Sequence, residues 1–114
     1  MKNNKSCIEP YSGCVATAMA IIGSKWTALI LRDLADGSRR FSELERSLVG
    51  ISPKTLSQRL DELERHNIVT KKSYNEVPPR IEYTLTDKGL DLIPLLKQMA
   101  KWGNKYYDGN VVAI

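Results

Sequence analysis

Ser52-Pro53-Lys54-Thr55, followed by Leu56, Leu60 and Leu63, is the stretch that most limits what this chain can become. A serine at the N-cap accepts a hydrogen bond from an otherwise unsatisfied backbone N–H, and proline at the first helical position loses nothing by lacking its own. Leucines three and four residues apart lay one apolar stripe along the helix that follows. Asn67 is its predicted stop. A shorter helix precedes it, with Phe41, Leu44 and Leu48 in helical spacing and a stop near Gly50. Only Val49-Gly50-Ile51 separates the two, and two helices joined so tightly form a helix-turn-helix. Two β-type runs come next, Ile68-Val69-Thr70 and Arg80-Ile81-Glu82-Tyr83-Thr84-Leu85. The Val77-Pro78-Pro79 between them is incompatible with a central strand, so the pair reads as a hairpin with its loop at residues 75–79.

The flanks are helical. Val15, Met19 and Ile22 have helical spacing, closed by Gly23. Ser24 caps a second segment in which Trp26, Leu29, Ile30 and Leu34 recur at three and four residues, closed by Gly37. Thr86 caps a last helix with apolar positions Leu92, Leu95, Leu96, Met99, Trp102 and Tyr106, and Pro94 predicts a kink or break in its first turns. The expected architecture is mainly α with a small β-hairpin (α+β). Residues 1–13 are expected as an arm, 14–108 as the folded domain and 109–114 as a tail.

Composition narrows the function classes. The chain has 114 residues, 42% of them hydrophobic and 26% charged, which suits one folded domain rather than a disordered chain. Its apolar runs are well short of the roughly 20 residues a bilayer requires, so no membrane partner is expected. The N-terminus carries no long apolar stretch with a small-residue cleavage site, and two cysteines are too few for a disulfide-stapled secreted scaffold. A cytoplasmic location is the expectation. The only histidine, His66, is far in sequence from Cys7 and Cys14, so no metal site is expected. No phosphate-cradling glycine loop and no nucleophile elbow appear, so neither a cofactor nor an enzymatic activity is expected.

The net charge of +4 is unevenly spread: residues 37–80 hold nine basic and six acidic groups, whereas residues 81–114 hold four of each. On the helix that starts after Ser52, Lys54, Thr55, Gln58 and Arg59 fall largely off the leucine stripe and crowd the first two turns. Such side chains donate to phosphates and to base edges in a major groove, and recognition helices use their N-terminal residues for it. Asp61, Glu62 and Glu64 follow in the second half. Taken by itself, the helix is better explained as a mixed-charge exposed face than as a DNA-binding one; the hairpin placed directly after it, with Arg80 expected at its tip, turns the reading into a winged helix.

Five segments carry a family resemblance: Gly23-Ser24-Lys25-Trp26-Thr27, Arg40-Phe41-Ser42-Glu43-Leu44, the run from Gly50 to Leu60, Glu76-Val77-Pro78-Pro79-Arg80-Ile81-Glu82-Tyr83 and Leu85-Thr86-Asp87-Lys88-Gly89. Together they resemble HxlR-type transcriptional regulators, winged-helix proteins related to the MarR group. The resemblance runs from about Cys14 to Trp102. It implies a sequence-specific DNA-binding regulator, expected to be a repressor, with Ser52, Lys54, Thr55, Gln58 and Arg59 at the major groove. Arg80 is expected on phosphate or in the minor groove, and Lys25, Arg39 and Arg40 on phosphates.

The resemblance also implies a homodimer formed by the N- and C-terminal helices, and hence a pseudo-palindromic duplex operator. Met19, Ile22, Met99, Trp102 and Tyr106 are the candidate interface, because Met and large aromatics are enriched in interface cores. Cys14 resembles the cysteine that senses oxidants or electrophiles in several family members; a helix N-terminus favours its thiolate, and Cys7 is a candidate resolving partner. Alternatively both cysteines are passengers. Two other readings stay open: a sensor with a small-molecule inducer bound at the dimer interface near Trp26, Trp102 and Tyr106, and a protein–protein module without DNA binding.

Overall fold

In the computed structural model, which describes Gly13 and residues 15–107, the Ser52 hydroxyl accepts the Thr55 N–H at 3.0 Å and donates to Thr55 Oγ1 at 2.9 Å. That cap opens α4 (Pro53–Arg65), the thirteen-residue helix on which the molecule is organised. Leu56, Leu60 and Leu63 are all buried, as their spacing predicts. His66 caps the C-terminus, and Asn67, at φ +61°, turns the chain out of the helix. Asparagine tolerates this left-handed conformation better than most residues.

Ahead of it lie α1 (Val15–Ile22), α2 (Lys25–Leu34), the two-residue strand β1 (Arg39–Arg40) and α3 (Phe41–Ser47). Ser24 caps α2 through the Thr27 N–H at 3.1 Å. Between α3 and α4 the Ile51 N–H reaches the Leu48 carbonyl at 3.0 Å, and Gly50 sits at φ +95°. A side chain there would be strained, which is why this turn carries glycine.

After α4 the chain forms β2 (Val69–Tyr74) and β3 (Arg80–Leu85), antiparallel from Val69↔Leu85 to Tyr74↔Arg80. The loop at 75–79 is as predicted, but the first strand is longer than expected. Lys71, Lys72 and Ser73 continue β2 without an apolar alternation, because as an edge strand it leaves them exposed. β1 also departs from expectation. Arg39 and Arg40, expected only as residues preceding the third helix, pair with Tyr83 and Glu82, giving a three-stranded sheet in the order β1-β3-β2.

The last helix is broken, though not at Pro94. α5 (Asp87–Leu90) and α6 (Leu92–Tyr106) meet at Asp91, and Pro94 stands in the first turn of α6, where its missing N–H costs no helical bond. α2, α3, α4 and the sheet enclose one core that includes Ile30, Leu31, Leu34, Leu44, Leu48 and Tyr83. Ile22 belongs to that core at 5% exposure, which removes it from the expected interface: it packs within its own chain. Met19 stays half exposed. In α6 no residue is buried, and Met99, Trp102 and Tyr106 are 48%, 69% and 59% exposed.

Candidate nucleic-acid interface

With three leucines of α4 turned inward, the helical repeat sets Lys54 and Gln58 on the opposite ridge, one turn apart, and both are exposed. Ser57, also exposed, flanks them; the sequence reading passed over it because a lone serine carries no charge signal. Ser52 and Thr55 are committed to one another through the cap, so their hydroxyls support the helix start first. Arg59 lies at the edge of the leucine stripe with its side chain 30% exposed. It is tied to Glu62 by a 2.9 Å ion pair, and its Nε is buried without a partner.

The three carboxylates in the second half of α4 divide between its two flanks. Glu62 faces Arg59. Asp61 and Glu64 act on Tyr83 of β3, whose phenol is held above its usual 10.0, first by burial and then by these two negative charges.

Arg80 is not at the tip of the wing. It forms the last pair of the ladder with Tyr74, over whose ring its guanidinium stacks at 3.9 Å, and it is closed in by Glu76 at 3.2 Å and Glu82 at 3.6 Å. Its side chain is 25% exposed. The cations that β2 turns to solvent are Lys71 and Lys72, the latter 5.1 Å over the same Tyr74 ring. Both were missed from sequence; the adjacent Lys-Lys in a β-type run was the available signal.

Arg40 and Arg80 line opposite walls of a cleft of about 490 Å³ between the start of α3 and the wing loop. The Arg40 backbone N–H donates to Glu43 Oε1 at 2.8 Å, leaving the guanidinium exposed; Arg39 is half-buried and donates to the Ser38 carbonyl at 3.0 Å. Lys25 sits 4.6 Å over the Trp26 ring. That ring reaches the turn at Gly50, so Lys25 stands beside the turn of the helix-turn-helix rather than apart from it. Cys7 and Cys14 lie outside the described residues. Among the described residues, no three His, Cys or carboxylate side chains converge on a metal position, and no single helix is long and apolar enough to cross a membrane.

A capped helix with a polar ridge, a tight turn before it and a basic two-stranded wing after it are the parts of a winged helix-turn-helix. The model of the HxlR-like helix-turn-helix family matches residues 21–111. The chain belongs to this family. Among HxlR-type relatives, the HTH-type transcriptional regulator YdeP of Bacillus subtilis is 39% identical over 113 residues, covering 95% of this chain and 88% of its own. The redox regulator HypR in its oxidized form superposes with a TM-score of 0.76 at 37% identity, covering 82% of this chain and 97% of that one. The reduced form of the transcriptional regulator YodB from B. subtilis gives 0.76 at 33% identity, covering 88% and 98%. As an HxlR-type helix-turn-helix protein, this chain is a DNA-binding transcriptional regulator and not an enzyme.

Proposed function

We propose that this HxlR-type protein is a homodimeric repressor acting in the cytoplasm on a pseudo-palindromic duplex, with α4 in the major groove and the wing over the neighbouring backbone. The observation that carries this reading is the ridge of Lys54, Ser57 and Gln58 opposite three buried leucines on a firmly capped helix. Lys54, Gln58 and Arg59 are the base-edge candidates; Lys25, Arg40, Lys71 and Lys72 supply phosphate contacts, with Arg39 and Arg80 more tightly held behind them. The DNA-binding domain is residues 14–108, between the arm at 1–13 and the tail at 109–114. Neutralising about 6–10 phosphates makes affinity fall by about 10³–10⁵ between 50 and 200 mM salt. The test is selection of duplexes from a random pool, followed by titration of Lys54→Ala and Gln58→Ala against the selected site. Unchanged affinity in both variants overturns the placement of α4, and a salt-independent interaction with no DNA affinity favours the protein–protein module.

The dimer rests on α6. Met99, Trp102 and Tyr106 continue its apolar face past what the described residues cover, and Trp102 and Tyr106 pack on each other with ring centroids 5.1 Å apart. Met19 of α1 extends the candidate surface. Two-fold symmetry puts the half-sites about 34–36 Å apart, or a multiple of that. Sedimentation of the Trp102→Asp variant as a stable dimer removes α6 from the interface.

The signal is proposed to be an oxidant or electrophile acting on Cys14, with Cys7 as resolving thiol. Its support is similarity to HypR and YodB, a redox regulator and a regulator solved in its reduced form. Loss of operator affinity after diamide in the wild type, but not in Cys14→Ser, is the expected result. A second reading has its own observation: an apolar groove of about 420 Å³ between α2 and α6, lined by Leu29, Ile93, Leu96 and Met99, is large enough for a small-molecule inducer. Thermal stabilisation by a compound library, lost on Leu29→Trp, distinguishes it.

A further inference from the structure

We infer that Glu62 is a positioning residue for DNA recognition: it holds the Arg59 guanidinium in the orientation that reads the operator. The inference rests on the placement of α4 in the major groove. An acidic side chain on a DNA-facing helix would ordinarily repel phosphates, and the bare sequence pattern sets Glu62 with Asp61 and Glu64 as the half of the helix turned away from DNA. The geometry separates them. Asp61 and Glu64 are exposed and form no ion pair among the described residues, whereas Glu62 Oε1 lies 2.9 Å from Arg59 Nη1.

Arginine carries five N–H donors in a rigid fork. Here Nε is buried without a partner and one Nη1 donor is bound to Glu62, so the guanidinium is packed along one edge and held by a single hydrogen bond at the other. The remaining donors form the edge available to an acceptor pair, and Arg59 stays 30% exposed to meet it. A long side chain held in this way loses less rotamer freedom on binding. Bidentate contact to a guanine edge depends on the plane of the guanidinium, whereas attraction to phosphate depends only on charge. Removing Glu62 should therefore weaken specific binding and strengthen non-specific binding, two effects of opposite sign.

The test uses the full-length protein on two duplexes of equal length, the site selected by the wild type and a scrambled sequence. Glu62→Gln keeps the size of the side chain and removes its charge. It should lower affinity for the selected site on the order of tenfold, the scale of one base-edge contact, while affinity for the scrambled duplex rises. Glu62→Asp keeps the charge but shortens the reach, so it loses specific affinity without the non-specific gain. In an Arg59→Ala background Glu62→Gln should cost no further specific affinity, because the residue acts through Arg59. Melting temperatures close to wild type in both Glu62 variants separate this effect from loss of folding. Glu62→Gln that binds the selected site as well as or better than wild type, while Arg59→Ala weakens it, overturns the positioning role and leaves the α4 reading intact. Arg59→Ala without effect while Lys54→Ala weakens binding also overturns it. No effect from either Arg59→Ala or Lys54→Ala overturns the α4 reading itself.

Discussion

Gly89 sits where the end of the helix-turn-helix meets the start of the C-terminal helices, and replacing it with alanine should cost more than any surface change nearby. It is the third residue of α5 and is buried. A Cβ there would run into the Ile68 carbonyl oxygen, and would lie 3.0 Å from Leu85 Cδ2 and 3.2 Å from Ile68 Cγ2. The first obstacle is backbone and the others belong to buried side chains, so no flexible group can swing away. Relief requires α5 to back off on the order of 1 Å, because carbon–oxygen contacts settle at about 3.3–3.6 Å. The same carbonyl already accepts the Thr86 N–H at 3.0 Å and the Thr86 hydroxyl at 3.2 Å, and the shift stretches both.

Overpacking costs about 1–3 kcal/mol and each of the two weakened hydrogen bonds about 1 kcal/mol, for a total of about 3–5 kcal/mol. At about 4–8 °C per kcal/mol for a domain of this size, Gly89→Ala should melt at least about 12 °C below wild type. The assay is thermal denaturation followed by far-UV circular dichroism, with both proteins at one concentration because an assembling protein melts in a concentration-dependent way. A melting temperature lowered by less than about 4 °C, the equivalent of 1 kcal/mol, would show that α5 moves freely against β2 and would refute the argument.

Gly50→Ala should cost about 1–3 kcal/mol, since φ +95° strains any side chain, and should lower the urea midpoint without changing the slope. Ser52→Ala removes the cap of α4 and should cost about 1 kcal/mol, with a matching loss of operator affinity if the helix start frays at Lys54. Because burial, Asp61 and Glu64 all favour the neutral phenol of Tyr83, its stabilising contribution is intact below pH 10.0 and declines as pH rises through that value towards the folded pKa. Unfolding measured across this range should show the decline in wild type and a flatter profile in Tyr83→Phe; parallel profiles would refute the assignment.

What could be read from sequence was local, and what could not was settled by register. The Ser52 cap, the leucine stripe of α4, the Gly50 turn and the stop at Asn67 each depend on residues within a few positions of one another, and each stands where its chemistry required. β1 has two residues and no periodicity; it exists only because β3 offers an edge to pair with. The outer part of β2 is exposed, so the apolar alternation by which strands are found is missing there. Arg80 read as a free cation because its partners, Glu76, Glu82 and the Tyr74 ring, become neighbours only when the hairpin closes in its observed register. Ile22 and Met99 show the same apolar spacing, and only packing divides them into core and surface.

The junction at Gly89 also bears on how a signal could reach DNA. The chain leaving α4 is clasped to the start of α5 by four hydrogen bonds: the Thr86 hydroxyl donates to the carbonyls of Asn67 and Ile68, the Thr86 N–H donates to Ile68, and Lys88 Nζ reaches the His66 carbonyl at 2.9 Å. His66 is the C-cap of the recognition helix, and α6 begins at Leu92, two residues beyond α5. α4 and α6 are thus coupled through backbone acceptors, three of the four bonds coming from Thr86, and interiors packed this closely transmit displacement instead of absorbing it. In the proposed dimer, where α6 meets its partner, a change of crossing angle at Met99 and Trp102 would pass through this clasp to the spacing of the two recognition helices. In that dimer both helices would have to enter successive turns of one duplex face together, so a shift of a few ångströms at the clasp would separate binding from release.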